Sequence, residues 1–264
     1  MDRSENHFLT RSTKWVVDLV VTLLLWGYYT VGFLVFFAPF YVIAYLFSRN
    51  RETSFQRLNH RFYKGFFFLV RVLIPQHKWR IGSDVPGIRS CVIVCNHVSY
   101  LDPLILISLF EKHKTIAKSS LFKLPLFGSM LKLSGYIPST SEGKLKELMI
   151  QHIETMDDYL AAGGNLFIFP EGTRSLNGNI GSLNKGAFKI ARLCRTPIKV
   201  LFIRNTDALF RPGRFLFNTC VPNTITLELL ETIEPDYQNR AFSVSRLIGQ
   251  VHTLLSTQSA RHPL

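Results

Sequence analysis

The sequence predicts an α/β protein, a largely parallel mixed sheet flanked by helices, joined to an N-terminal membrane-embedded helical segment. Three observations predict it. Beyond about residue 90, short strand-type apolar runs alternate with helix-length segments, the pattern of parallel strands linked by crossover helices. Before them, the stretch from Trp15 to Phe47 is apolar with Asp18 as its only charged residue. Two polar motifs, Asn96-His97-Val98-Ser99-Tyr100-Leu101-Asp102 and Phe169-Pro170-Glu171-Gly172-Thr173-Arg174-Ser175, each follow a strand-type run, so polar groups emerge where strands leave the core.

As one straight helix the first apolar stretch would be roughly 50 Å long, against a hydrocarbon core of about 30 Å. Gly27, Gly32 and Pro39 offer bends, so the expected form is a two-helix hairpin entering the bilayer with both ends on the basic, cytoplasmic side. A single tilted span is the alternative. A cleaved signal peptide fits less well, because hydrophobicity continues past the point where a small-x-small site belongs. A belt of Arg49, Arg51, Arg57, Arg61, Lys64, Arg71, Lys78, Arg80 and Arg89 follows, with only Glu52 and Asp84 against it, which reads as contact with anionic headgroups. The phenylalanines of Phe62–Ile74 suit either an interfacial attachment or ordinary core. We place the boundary near residue 60, with 1–60 as membrane anchor and 61–264 as the α/β domain.

Lysine and arginine exceed acidic residues by 31 − 18 = 13, which favours an anionic partner. Nucleic acid is disfavoured, since no recognition fold or aromatic RNA-binding motif is visible. Cys91, Cys95, Cys194 and Cys220 form no CxxC pair, and reduced thiols in a cytosol-facing domain are the simplest reading.

Within the domain the pattern predicts strands at Cys91–Cys95, Thr115–Lys118, Gly135–Pro138, Leu166–Phe169, Ile198–Ile203, Phe215–Phe217 and Thr224–Leu230. Helices are predicted at Pro103–Phe110, Pro125–Leu133, Lys144–Ala161, Lys185–Cys194 and near Ser243–Ser256, with Gly163-Gly164 as a C-terminal stop.

The two motifs, taken singly, have bland readings: Asp102 before Pro103 suits a helix N-cap, and FPEGTRS suits a turn. Together, in this order, they resemble the glycerolipid acyltransferase family, whose best-known member acylates 1-acyl-glycerol-3-phosphate. The likeness covers roughly residues 78–230. Lys118-Ser119-Ser120-Leu121-Phe122-Lys123-Leu124-Pro125-Leu126-Phe127-Gly128 with Gly135-Tyr136-Ile137 looks like the family's second block. Lys185–Ala191 is similar to the helix after its third block, and Thr196–Val200 to its fourth. One departure concerns the acceptor headgroup: the family carries an arginine where this chain has Ser141, with Lys144 and Lys146 nearby but unmatched.

Acylating an alcohol requires a base for the hydroxyl proton, and a neutral imidazole matches that task near pH 7. His97 suits this role, with Asp102 turned back from the next helix to hold its tautomer and stabilise the imidazolium. Ser99 lacks a G-x-S-x-G elbow, so direct transfer, which the resemblance implies, is preferred to a covalent acyl-enzyme. Arg174 suits bidentate phosphate binding and Lys118 adds a point charge; both match positions that the family uses for acceptor phosphate. Glu171 is read as positioning the acceptor, Thr173 and Asn96 as turn residues, and backbone N–H groups near Gly172 as oxyanion donors. The segment 177–186 lacks P-loop order and is read as a mobile loop at the site mouth. A cation held by His97, Asp102, His113 and Glu171 has no supporting spacing, so no metal and no resident cofactor is expected. The implied reaction moves an acyl chain from acyl-CoA or acyl carrier protein to a lysophospholipid at a phospholipid membrane, with the site on the cytoplasmic face (the inner membrane in a bacterium). An acceptor lacking a terminal phosphate and a non-catalytic anionic-lipid binder are the alternatives.

Overall fold

The structure, a computed structural model, describes residues 3–139, 144–175 and 178–261. Ser141 therefore lies outside the described residues. The chain begins with α1 (Arg3–Gly27), a π-helical stretch (Tyr28–Phe37) and α2 (Ala38–Phe47), and α3 (Arg51–Leu73) follows. The sheet comprises β1 (His77–Ile81), β2 (Cys91–Cys95), β3 (His113–Ala117), β4 (Ile137–Pro138), β5 (Asn165–Ile168), β6 (Ile198–Arg204) and β7 (Asn223–Ile233). Helices α4 (Asp102–Leu109), α5 (Phe127–Leu133), α6 (Lys144–Glu154), α7 (Met156–Ala161), α8 (Gly186–Leu193), α9 (Thr206–Leu209) and α10 (Val244–Ala260) connect and cover it.

The strand order is β1-β7-β6-β2-β5-β3-β4. Every pairing is parallel except β6 with β7, so the predicted mixed, largely parallel sheet is what forms. β2 is buried along its whole length, as a strand covered on both faces must be. Its side chains alternate between two cores: Cys91, Ile93 and Cys95 join a cluster with α3 and α4, whereas Val92 and Val94 join one with α7, α8 and α10.

The N-terminal hairpin was expected to turn at Gly27, Gly32 or Pro39, and it does not. Gly27 and Ala38 both keep right-handed helical backbone, and the wider turns absorb Pro39, with Ala38 N–H donating to Phe33 O, five residues back. The chain reverses instead at residues 48–50, where Asn50 caps α3 by accepting from Thr53 N–H at 3.0 Å. Among the described residues one helical stretch, Arg11–Phe47, is long and apolar enough to cross a membrane, and most of it is exposed.

Its one buried charge is explained by docking on the domain. Asp18 Oδ1 accepts from Thr219 N–H at 2.8 Å and from the Thr219 hydroxyl at 2.6 Å, and Lys14 Nζ lies 2.5 Å from Oδ2. Thr22 accepts from Phe217 N–H at 2.9 Å. The predicted strand Phe215–Phe217 does not form; the Phe217 amide goes to Thr22 of α1 instead of a neighbouring strand, while Phe217 packs into the core.

α3 runs unbroken across residue 60 and buries Phe62, Phe66, Phe67 and Val70 in the same core as the sheet, so these phenylalanines are core; Phe68 and Val72 face outward. The long helix predicted at Lys144–Ala161 is two helices, broken at Thr155, whose hydroxyl donates to Gln151 O at 3.1 Å. All four cysteines are free.

Candidate active site

β2 and β5 are parallel neighbours, so their C-terminal ends lie side by side and the two polar motifs leave the sheet at the same edge. Asn96 anchors the first loop. Its side chain extends the ladder to β6, donating to Ile203 O at 2.9 Å and accepting from Ile203 N–H at 2.8 Å. The chain then turns back so that Asp102, fully buried at the start of α4, meets the imidazole of His97.

Four donors converge on that carboxylate. His97 Nδ1 lies 2.8 Å from Oδ2, which also accepts from Val98 N–H at 2.7 Å and Ser99 N–H at 2.8 Å; the Thr206 hydroxyl donates to Oδ1 at 2.5 Å. A carboxylate so occupied acts as acceptor, so Nδ1 carries the proton and Nε2 is the basic nitrogen. The ring is also stacked on Phe169, with centroids 4.3 Å apart, which leaves the imidazole little rotational freedom. Its side chain is only 16% exposed. Ser99 is committed elsewhere, donating from its hydroxyl to Phe210 O at 3.0 Å.

The second loop is tied to the first. Glu171 accepts from His97 N–H at 3.3 Å and from Gly181 N–H at 3.0 Å, and Ser175 N–H donates to His97 O at 2.8 Å. Burial raises the Glu171 carboxyl above its ordinary value, while those two N–H groups and His97 pull it back. Gly172 has φ +70, a left-handed conformation that favours glycine, and its N–H closes the turn on Phe169 O at 3.1 Å. That N–H is therefore engaged and not free for an oxyanion. Asn184 N–H donates to Pro170 O at 2.8 Å, so residues 178–186, the described part of the segment read as mobile, are pinned at both Glu171 and Pro170.

Arg174 lies over the Tyr100 ring, with Cζ 3.4 Å from the centroid, so the two motifs meet through this pair as well. Its Nη1 is buried and has no hydrogen-bond partner among the described residues, and Arg174 together with Glu171, Thr173, Ser175 and the 179–182 segment lines a cavity of about 310 Å³. A guanidinium beside a small polar cavity is suited to an anion. Lys118 follows β3, whose parallel pairing with β5 puts it at the same sheet edge; it is exposed. His113 is not near a cation set: it is buried between Phe110 O at 2.6 Å and the Tyr136 hydroxyl at 2.8 Å.

A family profile described as Acyltransferase matches residues 78–203, which contain both loops. Just under half of the chain therefore matches that family's model, in line with the resemblance carried by the two motifs. The chain is 32% identical over 132 residues to a chloroplastic 1-acyl-sn-glycerol-3-phosphate acyltransferase of Brassica napus, covering 50% of this chain and 37% of that protein. It is 30% identical over 172 residues to the human 1-acyl-sn-glycerol-3-phosphate acyltransferase beta, covering 64% of this chain and 59% of that one. The matched part thus spans about a third to three fifths of these relatives' own length. The crystal structure of the 1-acyl-sn-glycerophosphate (LPA) acyltransferase PlsC of Thermotoga maritima shares the fold: TM-score 0.69 at 21% identity, over 94% of this chain and 97% of that one.

Three residues that sequence reasoning missed complete the site. Thr206 opens α9 just after β6, Phe169 supplies a ring under the imidazole, and Tyr100 supplies one under Arg174. Tyr100 and Phe169 lay within the motifs but carried no acid–base signal. Nothing local marked Thr206, which is 104 positions from Asp102.

Proposed function

We propose that the protein transfers a fatty acyl group from a thioester to the free hydroxyl of a membrane lysophospholipid, with 1-acyl-sn-glycerol-3-phosphate as acceptor and phosphatidic acid as product. The buried Asp102 carboxylate on His97 Nδ1 carries this reading. Nε2 takes the hydroxyl proton as the oxygen attacks the thioester carbonyl, and Asp102 stabilises the imidazolium. Collapse of the tetrahedral intermediate breaks the C–S bond, and the imidazolium returns the proton to the departing thiolate. Arg174, beside the polar cavity, receives the acceptor phosphate, and Lys118 adds charge from the neighbouring strand end. Glu171, Gly172 and Thr173 shape the loop that presents Arg174. The names of the relatives, all acting on this acceptor, support the choice.

The donor is acyl-CoA or acyl carrier protein, and no resident cofactor takes part. The Arg11–Phe47 helix and the basic residues that follow it support membrane attachment with the site on the cytoplasmic face, the inner membrane in a bacterium. The test uses purified full-length protein in mixed micelles with acyl thioester and a panel of lysolipids, read by product mass. Replacing the base, His97→Ala, is expected to cut turnover by about 10²–10⁴-fold. Full turnover by a folded His97→Ala protein would remove the base from the mechanism. A rate indifferent to the acceptor's phosphate and to Arg174→Ala would transfer the proposal to an acceptor without terminal phosphate.

A further inference from the structure

A second cavity, of about 570 Å³, opens at the opposite edge of the sheet, below the starts of β2, β3 and β5. Those strands are parallel, so their first residues lie roughly 15 Å of strand away from the ends that carry His97 and Glu171. The volume is in the range of small-ligand sites. Its charged lining is unbalanced: Arg57 and Lys64 from α3, Arg89 before β2 and Lys112 before β3 face a single carboxylate, Glu111.

That carboxylate is already used by Arg57, with Nε 2.6 Å from Oε1. Lys112 is fixed in the wall by donating to Ala162 O at 2.6 Å, a contact that leaves its charge uncompensated. Among the described residues Lys64 and Arg89 have no acidic partner. His60 also lines the cavity; Nδ1 donates to Ile107 O at 3.1 Å, so Nε2 remains available. Cations gathered around a concavity repel one another, and an anion seated there would relieve the repulsion and gain charge-assisted hydrogen bonds.

We propose that this cavity is a second anion site, distinct from the candidate active site, that takes a phosphate group carried by an anionic lipid headgroup or by a free phosphate compound. Lys64 and Arg89 hold the phosphate, and His60 lies beside it.

The experiment is a titration of the ring-labelled histidines in the full-length protein by NMR, with His60→Gln to assign the signal. Burial, Lys64 and Arg61 hold the His60 imidazole below its ordinary value, against Ile107 O and Glu111. A bound phosphate is expected to raise it. A rise with inorganic phosphate or pyrophosphate supports the site with a soluble ligand; a rise only with phosphatidic acid in phosphatidylcholine bicelles supports it with a headgroup. The double variant Lys64→Gln/Arg89→Gln is expected to weaken either response about tenfold or more. Arg174→Ala, in the candidate active site, is expected to leave the His60 response unchanged, which separates the two anion sites. No response to any of the three probes, or the same affinity in the double variant, overturns the proposal.

Discussion

Asp102 and Thr206 show how one imidazole is aimed. His97 would rotate freely on an exposed loop, but Asp102 holds Nδ1 and Thr206 holds the far oxygen of Asp102. Thr206 is a positioning residue, acting through Asp102. Removing its hydroxyl while keeping its shape, Thr206→Val, deletes a hydrogen bond to a charged group, worth about 1.5–3 kcal/mol. Turnover is expected to fall about tenfold to a hundredfold at unchanged KM, and Thr206→Ser to restore most of it. A rise in KM with unchanged kcat would place Thr206 in binding instead. The other motif arginine offers a parallel test. Arg174→Lys keeps the charge but loses the planar stack on Tyr100 and the bidentate fork, so affinity for a phosphate-bearing acceptor is expected to drop while turnover of saturated enzyme changes little.

At the scale of elements, the tight joints are legible as glycines. Gly128, the second residue of α5, lies beside the 3₁₀ turn Ser119–Lys123, and a Cβ there would run into the backbone carbonyl of Phe122. Backbone cannot swing aside as a side-chain tip can. Gly128→Ala is therefore expected to destabilise by about 1–3 kcal/mol, read as a lower thermal midpoint. Unchanged stability would show that the turn yields. The glycine was visible in the sequence as part of the second block, whereas its reason, the approach of Phe122, was not. β1 was missed altogether: His77–Ile81 is a short edge strand with alternating charge, and its partner β7 lies far along the chain. The break between α6 and α7 was missed because Thr155 fits a helical pattern until its hydroxyl competes for a carbonyl.

Across the whole molecule, buried histidines tie stability to pH. Burial lowers His113 to about 3, and burial with the nearby Lys114 charge lowers His152 to about 4, both from an ordinary 6.5. Glu52, 4.0 Å from His152 Nδ1, is too distant to reverse this. Between the folded and unfolded values the unfolded chain binds more protons, so stability rises with pH there and is lost on acidification below about 6.5. The thermal midpoint is expected to fall from pH 7 to pH 4.5, and less steeply in His152→Gln. An equal slope in that variant would assign the loss to other groups.

The sequence by itself determined what is local: alternating strands and helices, the apolar N-terminal stretch, and two polar loops carrying a base, its carboxylate and a guanidinium. Hydrophobic period and motif spacing act over a few residues, which is why they can be read along the chain. Only the tertiary structure decided which strands are neighbours, that Thr206 steadies Asp102, that Tyr100 carries Arg174, and that Thr219 hydrogen-bonds Asp18. Each of those contacts joins residues far apart in sequence, and they meet only because buried polar groups require partners and the sheet brings those partners within reach.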